Sequence, residues 1–138
     1  MIELILFPCI ATDGDSIRCA LTEPQRAIIR KAAPKRYKAR KWTSIRIRLK
    51  GINTPEKCEP GYEQAKTALW RLIRRKPLRC IQSGWSWNRM VATCFVNGKD
   101  IARQMVASGH AKACRQYGGR RYDPNARRCR FVKCGRRR

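Results

Sequence analysis

The sequence predicts an α+β protein that is mainly β, and three observations support this class. A strict alternation of apolar and basic residues over 44–50 is typical of a half-buried strand. Helical periodicity in two other segments gives the order strands, helix, strands, helix along the chain. The length of 138 residues is enough for one compact domain and too short for two ordinary ones.

The first strand is predicted in the run 2–8, which is apolar except for Glu3 and ends at Pro8. The run lacks a basic segment before its apolar part and is too short to cross a bilayer. No other segment approaches the apolar length of a membrane helix, so no membrane partner is predicted. The sequence does not determine the localisation. The protein is secreted or periplasmic if a signal peptide has been removed, and cytoplasmic otherwise.

The alternating run 44–50 divides its side chains between two faces. The apolar face carries Ile45, Ile47 and Leu49, and the basic face carries Arg46, Arg48 and Lys50. After it, apolar residues recur every three or four positions over 61–76, which predicts a helix. Glu59 and Glu63 near its start and basic residues near its end suit the helix dipole, and Pro77 ends it.

Two more strands are predicted at 78–82 and 89–96, joined by a polar and aromatic turn at 83–88. A second helix is predicted over 100–108, and Gly109 is well placed to end it. The basic insertion at 22–43 is too irregular for an assignment. It fits a solvated loop and a phosphate-binding arm equally well. Residues 126–138 form a basic, cysteine-containing C-terminal tail that is expected to fray in solution.

The charge of the chain indicates an anionic polymer as its partner. Lys and Arg number 33 against 9 Asp and Glu, which gives a formal net charge of +24. Such a cation gains affinity for nucleic acid by releasing condensed counterions. Adsorption to anionic lipid, or solubility through self-repulsion alone, is the alternative explanation.

The eight cysteines predict disulfides more than metal binding. No Cys-x-x-Cys pair is present, and His110, the one histidine, has no cysteine at zinc-finger spacing. The even number permits disulfides in an oxidising compartment, although Cys9, Cys80 and Cys94 also fit strands as small buried hydrophobes. At least one disulfide is favoured, involving one or more of Cys58, Cys114, Cys129 and Cys134.

Polar residues follow two of the predicted strands. Asp-Gly-Asp-Ser at 13–16 and Asn-Thr-Pro-Glu at 53–56 each bring oxygen ligands to a strand end, and hard cations such as calcium prefer oxygen. Taken alone, the first motif fits a tight turn and the second a helix start. In combination with Arg48, the run 89–92 and the run 97–100, they resemble the staphylococcal-nuclease-like (thermonuclease) family in order and spacing. The resemblance covers residues 7–117 and is weakest in the insertion and the tail.

The resemblance implies a five-stranded OB-fold barrel with two or three flanking helices, spanning 1–125, and hydrolysis of phosphodiesters in DNA and RNA. By motif, Asp15, Asn53 and Thr54 would bind the metal, Ca²⁺ in this family. Arg48 and Arg89 would bind the scissile phosphate, and Glu56 would orient or deprotonate the attacking water. Tyr117 and Arg115 lie where the family contacts a nucleotide, and Trp87 could stack on a base or sugar. Products with 3′-phosphate ends are implied as well.

Asn53 departs from the family pattern, which usually has aspartate at this metal-ligand position. An amide oxygen can bind calcium but supplies no negative charge, so weaker binding or another divalent ion is expected. The leading hypothesis is a monomeric, sugar-nonspecific nuclease acting on single-stranded or exposed DNA and RNA. The alternatives are a catalytically weakened OB-fold module that binds nucleic acid without cutting it, and a basic packaging protein with accidental motifs.

Overall fold

The computed structural model describes residues 2–135. Its helices are α1 (Glu23–Ala32), α2 (Tyr62–Ile73) and α3 (Ile101–Ala107). Its strands are β1 (Glu3–Leu6), β2 (Cys9–Ala11), β3 (Ser16–Ala20), β4 (Ser44–Leu49), β5 (Ile52–Asn53), β6 (Leu78–Ser86), β7 (Arg89–Val96), β8 (Lys99–Asp100) and β9 (Lys112–Ala113). Short 3-10 helices lie at Lys35–Tyr37, Arg115–Tyr117 and Gly119–Arg121.

The strands form one mixed sheet and one small pair, so the α+β class is confirmed. The sheet has the order β1-β6-β7-β4-β3-β2, with β8 added beside β7, while β5 pairs with β9. The neighbours β4 and β7 run parallel, and the other pairs are antiparallel. This parallel pair matters for the site because it sets β4 and β7 side by side in register, with Arg46 opposite Arg89.

The clearest sequence patterns give the right elements. The alternating run is β4, and the helix expected over 61–76 is α2, which ends at Ile73. Arg74 leaves the helical conformation with a ψ of 132°, and Arg75 follows with a left-handed φ of 57°. The strands expected at 78–82 and 89–96 are β6 and β7, although β6 continues to Ser86 through an irregularity between Gln82 and Gly84. The predicted six-residue connection is therefore much shorter in the structure.

The basic insertion contains a helix that its composition does not indicate. Helix α1 starts at a capping box, in which the Thr22 side chain accepts from the Gln25 backbone and the Gln25 side chain accepts from the Thr22 backbone. Ile29 is its one fully buried side chain. The helix therefore presents most of its surface to solvent, which hides its periodicity.

The core lies against one face of the sheet. Ile17 of β3, Ile47 of β4 and Met90 of β7 are fully buried side by side, and Leu69 and Ile73 of α2 join the same cluster. Each such side chain contributes about 1.5–3 kcal/mol by leaving water. The neighbouring positions on these strands point to the opposite face, which is where the basic residues lie.

Four disulfides link the cysteines of the described residues: Cys9–Cys19, Cys58–Cys134, Cys80–Cys94 and Cys114–Cys129. All four of the favoured cysteines are paired. The interpretation of Cys9, Cys80 and Cys94 as free buried thiols is wrong, because strand register sets each opposite a cysteine.

The tail is attached to the body of the molecule, contrary to the expectation that it frays. Cys114–Cys129 joins it to the segment after β9, and Cys58–Cys134 joins it to the loop before α2. The end of the tail, residues 136–138, lies outside the described residues. Within residues 2–135, no helix combines the length and the apolar character needed to cross a membrane.

Candidate active site

A cleft of about 720 Å³ opens where the turn before β3 meets the end of β4 and the β6–β7 hairpin. Six of the nine predicted site residues line it: Asp15, Arg48, Asn53, Glu56, Arg89 and Tyr117. We call this space the acid–arginine cleft. Its carboxylates come from loops that follow strands, whereas its two guanidinium groups project from β4 and β7.

Asp15 is the most firmly held acidic group of the acid–arginine cleft. Asp15 is only 7% exposed, and its backbone carbonyl accepts a hydrogen bond from the Leu49 N–H at 2.9 Å. Its Oδ2 accepts from the Thr54 N–H at 3.2 Å and lies 3.4 Å from Nη1 of Arg48. The carboxylate therefore ties together the two segments that the sequence motifs identified.

Gly14 permits this arrangement because a side chain there would collide with its neighbours. An added Cβ would lie 2.8 Å from both the Cβ of Ala65 and the Oγ1 of Thr54. We expect Gly14→Ala to lower the free energy of unfolding by about 1–3 kcal/mol. The matched control is Gly84→Ala, where an added Cβ meets nothing within 4 Å. Urea unfolding monitored by circular dichroism measures both variants, and equal stabilities would contradict this packing.

Arg48 is fixed on three sides. Its Nη1 donates to the Leu49 carbonyl at 3.0 Å, its head lies beside Asp15, and its Cζ is 5.5 Å from the Tyr117 ring centroid. Arginine stacks well on an aromatic face and keeps its remaining N–H donors free for another ligand. Tyr117 therefore orients Arg48 in the acid–arginine cleft.

Arg89 faces the same cleft from β7. Burial lowers its pKa, and the nearby Arg48 and Arg46 lower it further, while Asp15 and Asp13 oppose this effect. The side chain still remains a cation, because arginine does not lose its proton in proteins near neutral pH. Its strongest described contact is a long one, from Nη2 to the Ser86 hydroxyl at 3.5 Å. The two guanidinium groups thus line one cleft, and of the two only Arg48 is in an ion pair with a carboxylate.

Glu56 supplies a further carboxylate to the cleft. Burial raises its pKa, the negative charges of Asp15, Asp13 and Glu59 raise it further, and Arg48 acts in the opposite direction. Its backbone N–H donates to Oε1 of Glu59 at 2.9 Å, which fixes the loop. A carboxylate with a raised pKa is a better proton acceptor than an ordinary glutamate.

The oxygen donors of this region fit a hard cation. Glu56 feels the repulsion of Asp15 and Asp13, and a bound cation would relieve that repulsion. Asn53 lines the cleft beside them, and Thr54 is tied to Asp15. Within residues 2–135, however, no three His, Cys, Asp or Glu side chains group as a metal site. The predicted ligand set of one carboxylate, one amide and one backbone carbonyl is compatible with that finding and carries little charge.

Asp13 also lines the cleft, and one of its carboxylate oxygens is bound by a tyrosine. The Tyr62 hydroxyl donates to Oδ1 of Asp13 at 2.7 Å, and burial together with this bond raises the pKa of Tyr62. The contact anchors the turn at 13–16 to the first turn of α2.

Three predicted residues stand outside the lining of the acid–arginine cleft. Thr54 is buried behind it and contacts Asp15 through its backbone. Trp87 is 73% exposed at the tip of the β6–β7 hairpin, and Arg115 is exposed, with its N–H donating to the Arg127 carbonyl. Their predicted roles in substrate binding remain predictions.

The lining residues that the sequence analysis did not predict include Gln116 and Phe131. Gln116 precedes Tyr117, and Phe131 comes from the C-terminal tail. The Gln116 amide exchanges two hydrogen bonds with the backbone of Cys129, at 2.7 and 2.8 Å, which holds the tail next to the cleft. No local pattern signals these contacts, because they depend on the path of the tail.

A sequence profile described as "Staphylococcal nuclease homologue" matches residues 46–130, which is more than half of the chain. The matched region includes Arg48, Asn53, Glu56 and Arg89. The chain belongs to this family. The turn that carries Asp15 precedes the matched region, and its hydrogen bond to Thr54 joins it to the family segment.

A relative of this chain is the "Uncharacterized endonuclease" of Haemophilus influenzae (strain ATCC 51907 / DSM 11121 / KW20 / Rd). The two are 32% identical over 82 residues, which cover 59% of this chain and 44% of the relative. The similarity thus extends over less than half of the relative's length.

Proposed function

We propose that this protein is a metal-dependent nuclease that hydrolyses phosphodiester bonds in DNA and RNA. The observation that carries the proposal is the convergence of Arg48 and Arg89 on one cleft with the carboxylates of Asp15 and Glu56. Family membership and the printed name of the endonuclease relative support the same reaction class.

The arginines would hold the scissile phosphate. A guanidinium group bonds two phosphate oxygens and stays charged, so the pair can offset the charge that develops during attack. Glu56 would accept a proton from the attacking water. Asp15, Asn53 and the Thr54 carbonyl would hold Ca²⁺ or another divalent ion, which when bound supplies Lewis-acid stabilisation of the phosphate.

The proposed substrate is single-stranded or otherwise exposed nucleic acid. Tyr117 offers an aromatic face at the cleft, and stacking on aromatics does not depend on base identity. By analogy with the family, the products would carry 3′-phosphate ends and the protein would act as a monomer.

The finer architecture proposed is a five-stranded OB-fold barrel at 1–125, followed by the basic tail 126–138. The two outer strands of the main sheet path, β1 and β2, are separated along the chain only by Phe7 and Pro8. They can therefore be treated as one bent strand that pairs with β6 at one end and β3 at the other. Such a bend would bring the two sides of the sheet together.

A second candidate function is a nucleic-acid-binding module with weakened catalysis. Asn53 favours it, because the predicted metal site then contains only one carboxylate ligand.

Asn53→Asp separates these two functions. Because the substitution adds a negative charge to the ligand set, we expect the calcium concentration for half-maximal cleavage to fall about tenfold. The measurement is a calcium titration of single-stranded DNA cleavage by both proteins, with Asn88→Asp in the nearby hairpin turn as control. Activity that appears only in Asn53→Asp supports the binding module. An unchanged calcium dependence would contradict the assignment of Asn53 as a ligand.

A further inference from the structure

The outer face of the sheet carries a row of three arginines that starts in the acid–arginine cleft. Strand register sets Arg18 of β3 opposite Arg46 of β4, and Arg46 opposite Arg89 of β7. Paired residues point to the same face of a sheet, and their chain neighbours Ile17, Ile47 and Met90 are buried on the other face. We call Arg18, Arg46 and Arg89 the arginine row.

The arginine row has no acidic partner within residues 2–135. The ion pairs there are Arg48–Asp15 and Arg79–Glu3, and neither includes a member of the row. Like charges directly opposite each other in a sheet are destabilising. Burial is the largest cause of the lowered pKa of Arg89, and repulsion from Arg48 and then from Arg46 lowers it further. An anion lying across the strands would offset this cost.

The spacing of the row fits a chain of anions better than a single one. Neighbouring strands lie about 4.8 Å apart, so Arg18 and Arg89 are separated by roughly 10 Å at the backbone. A single phosphate would satisfy Arg89, which already lines the cleft, and would leave Arg18 without a ligand. A polymer with successive phosphates can contact every member.

An exposed aromatic side chain lies at the tip of the β6–β7 hairpin, close in sequence to Arg89 of the arginine row. Trp87 is two residues from Arg89, is 73% exposed, and has the guanidinium carbon of Arg36 5.8 Å from its ring centroid. The same Arg36 lies 5.6 Å from the Tyr37 ring centroid. The basic insertion is thus placed next to the tip of the β6–β7 hairpin, with an exposed ring available for a base.

We propose that Arg18 and Arg46, together with Trp87 and Arg36, form an extended binding site for single-stranded nucleic acid on one side of the scissile phosphate. The arginines contact the backbone, and Trp87 stacks on a base. This inference rests on the proposed function, since the cleft must accept the neighbouring phosphodiester. It also gives the basic insertion a specific role, through Arg36.

The test is equilibrium binding of fluorescent oligothymidylates of about 3 and about 15 nucleotides, measured by anisotropy in excess chelator so that no cleavage occurs. The variant is the double substitution Arg18→Gln and Arg46→Gln. The control is Arg71→Gln and Arg74→Gln, which removes the same charge from exposed positions at the end of α2. Circular dichroism confirms that both variants are folded.

We expect the row variant to bind the longer oligonucleotide at least tenfold more weakly than the control, and the shorter one within about twofold. The slope of log affinity against log salt should fall by about 1.4, for two phosphate contacts on a single strand. Trp87→Ala should weaken binding of the longer oligonucleotide about fivefold or more with no change in this slope.

Equal losses in the row variant and the control would overturn the inference, because net charge alone would then explain binding. The inference would also be overturned if the row variant lost binding to phosphatidylserine vesicles but still bound the oligonucleotides. The row would then bind a membrane surface. Because the assay involves no cleavage, a failure of the extended site can be told apart from a failure of the nuclease proposal. If the protein cleaves nucleic acid but the row variant binds like the control, only the extended site is contradicted. If the protein binds through the row but does not cleave, only the nuclease proposal is contradicted.

Discussion

Replacing Glu56 with glutamine should reduce the rate of phosphodiester cleavage by about 10²–10⁴-fold, the range typical of a lost general base. Glutamine keeps the shape of the side chain but cannot accept a proton at neutral pH. The burial and the acidic neighbours that raise the pKa of Glu56 make the native carboxylate well suited to this proton transfer. Single-turnover cleavage of labelled single-stranded DNA at saturating divalent ion measures the loss.

Binding in chelator should not weaken in the Glu56→Gln variant, because the neutral side chain no longer repels the phosphate. The matched control is Glu63→Gln, an exposed position in the first turn of α2. It loses the same charge and should cleave at the native rate. Equal activity in both variants would exclude Glu56 as the base.

Replacing either Arg48 or Arg89 with lysine should lower cleavage by about 10²–10³-fold, which corresponds to about 2.7–4 kcal/mol of lost transition-state stabilisation. Lysine keeps the charge, but its ammonium group cannot form the planar two-point contact with a phosphate. For Arg48 the change also removes stacking on Tyr117 and the paired geometry with Asp15. The loss should appear mainly in kcat.

Arg79→Lys is the control for both substitutions. Arg79 lies on β6 and pairs with Glu3 at 2.9 Å between partly exposed side chains, and such surface pairs contribute little. Native cleavage by Arg48→Lys or Arg89→Lys would show that positive charge alone suffices there. A change confined to KM would assign the arginine to substrate binding.

The fold was most predictable where one local pattern determined an element. The alternation at 44–50 specifies β4 because a single face is buried, and the periodicity of α2 reflects the burial of Leu69 and Ile73. Helix α1 was missed because it buries only Ile29 and lies among basic residues. The paired state of Cys80 and Cys94 depends on strand register, which composition does not reveal.

The candidate site was predictable for the residues within the two motifs and on the strands beside them. Asp15 and Thr54 meet through a hydrogen bond across 39 positions of sequence, and the resemblance to a family made that meeting foreseeable. Phe131 and Gln116 were not foreseeable, because the tail reaches the cleft only through its disulfides and its contacts with the segment after β9. The arginine row required the register between β3, β4 and β7.

The measurement that tests the central claim most directly is cleavage of single-stranded DNA by the native protein with calcium, magnesium, manganese or chelator, followed by analysis of the product ends. The account predicts cleavage that requires a divalent ion, stops in chelator and leaves 3′-phosphates. Tight binding without cleavage in every metal would contradict it and would make the acid–arginine cleft a binding site only.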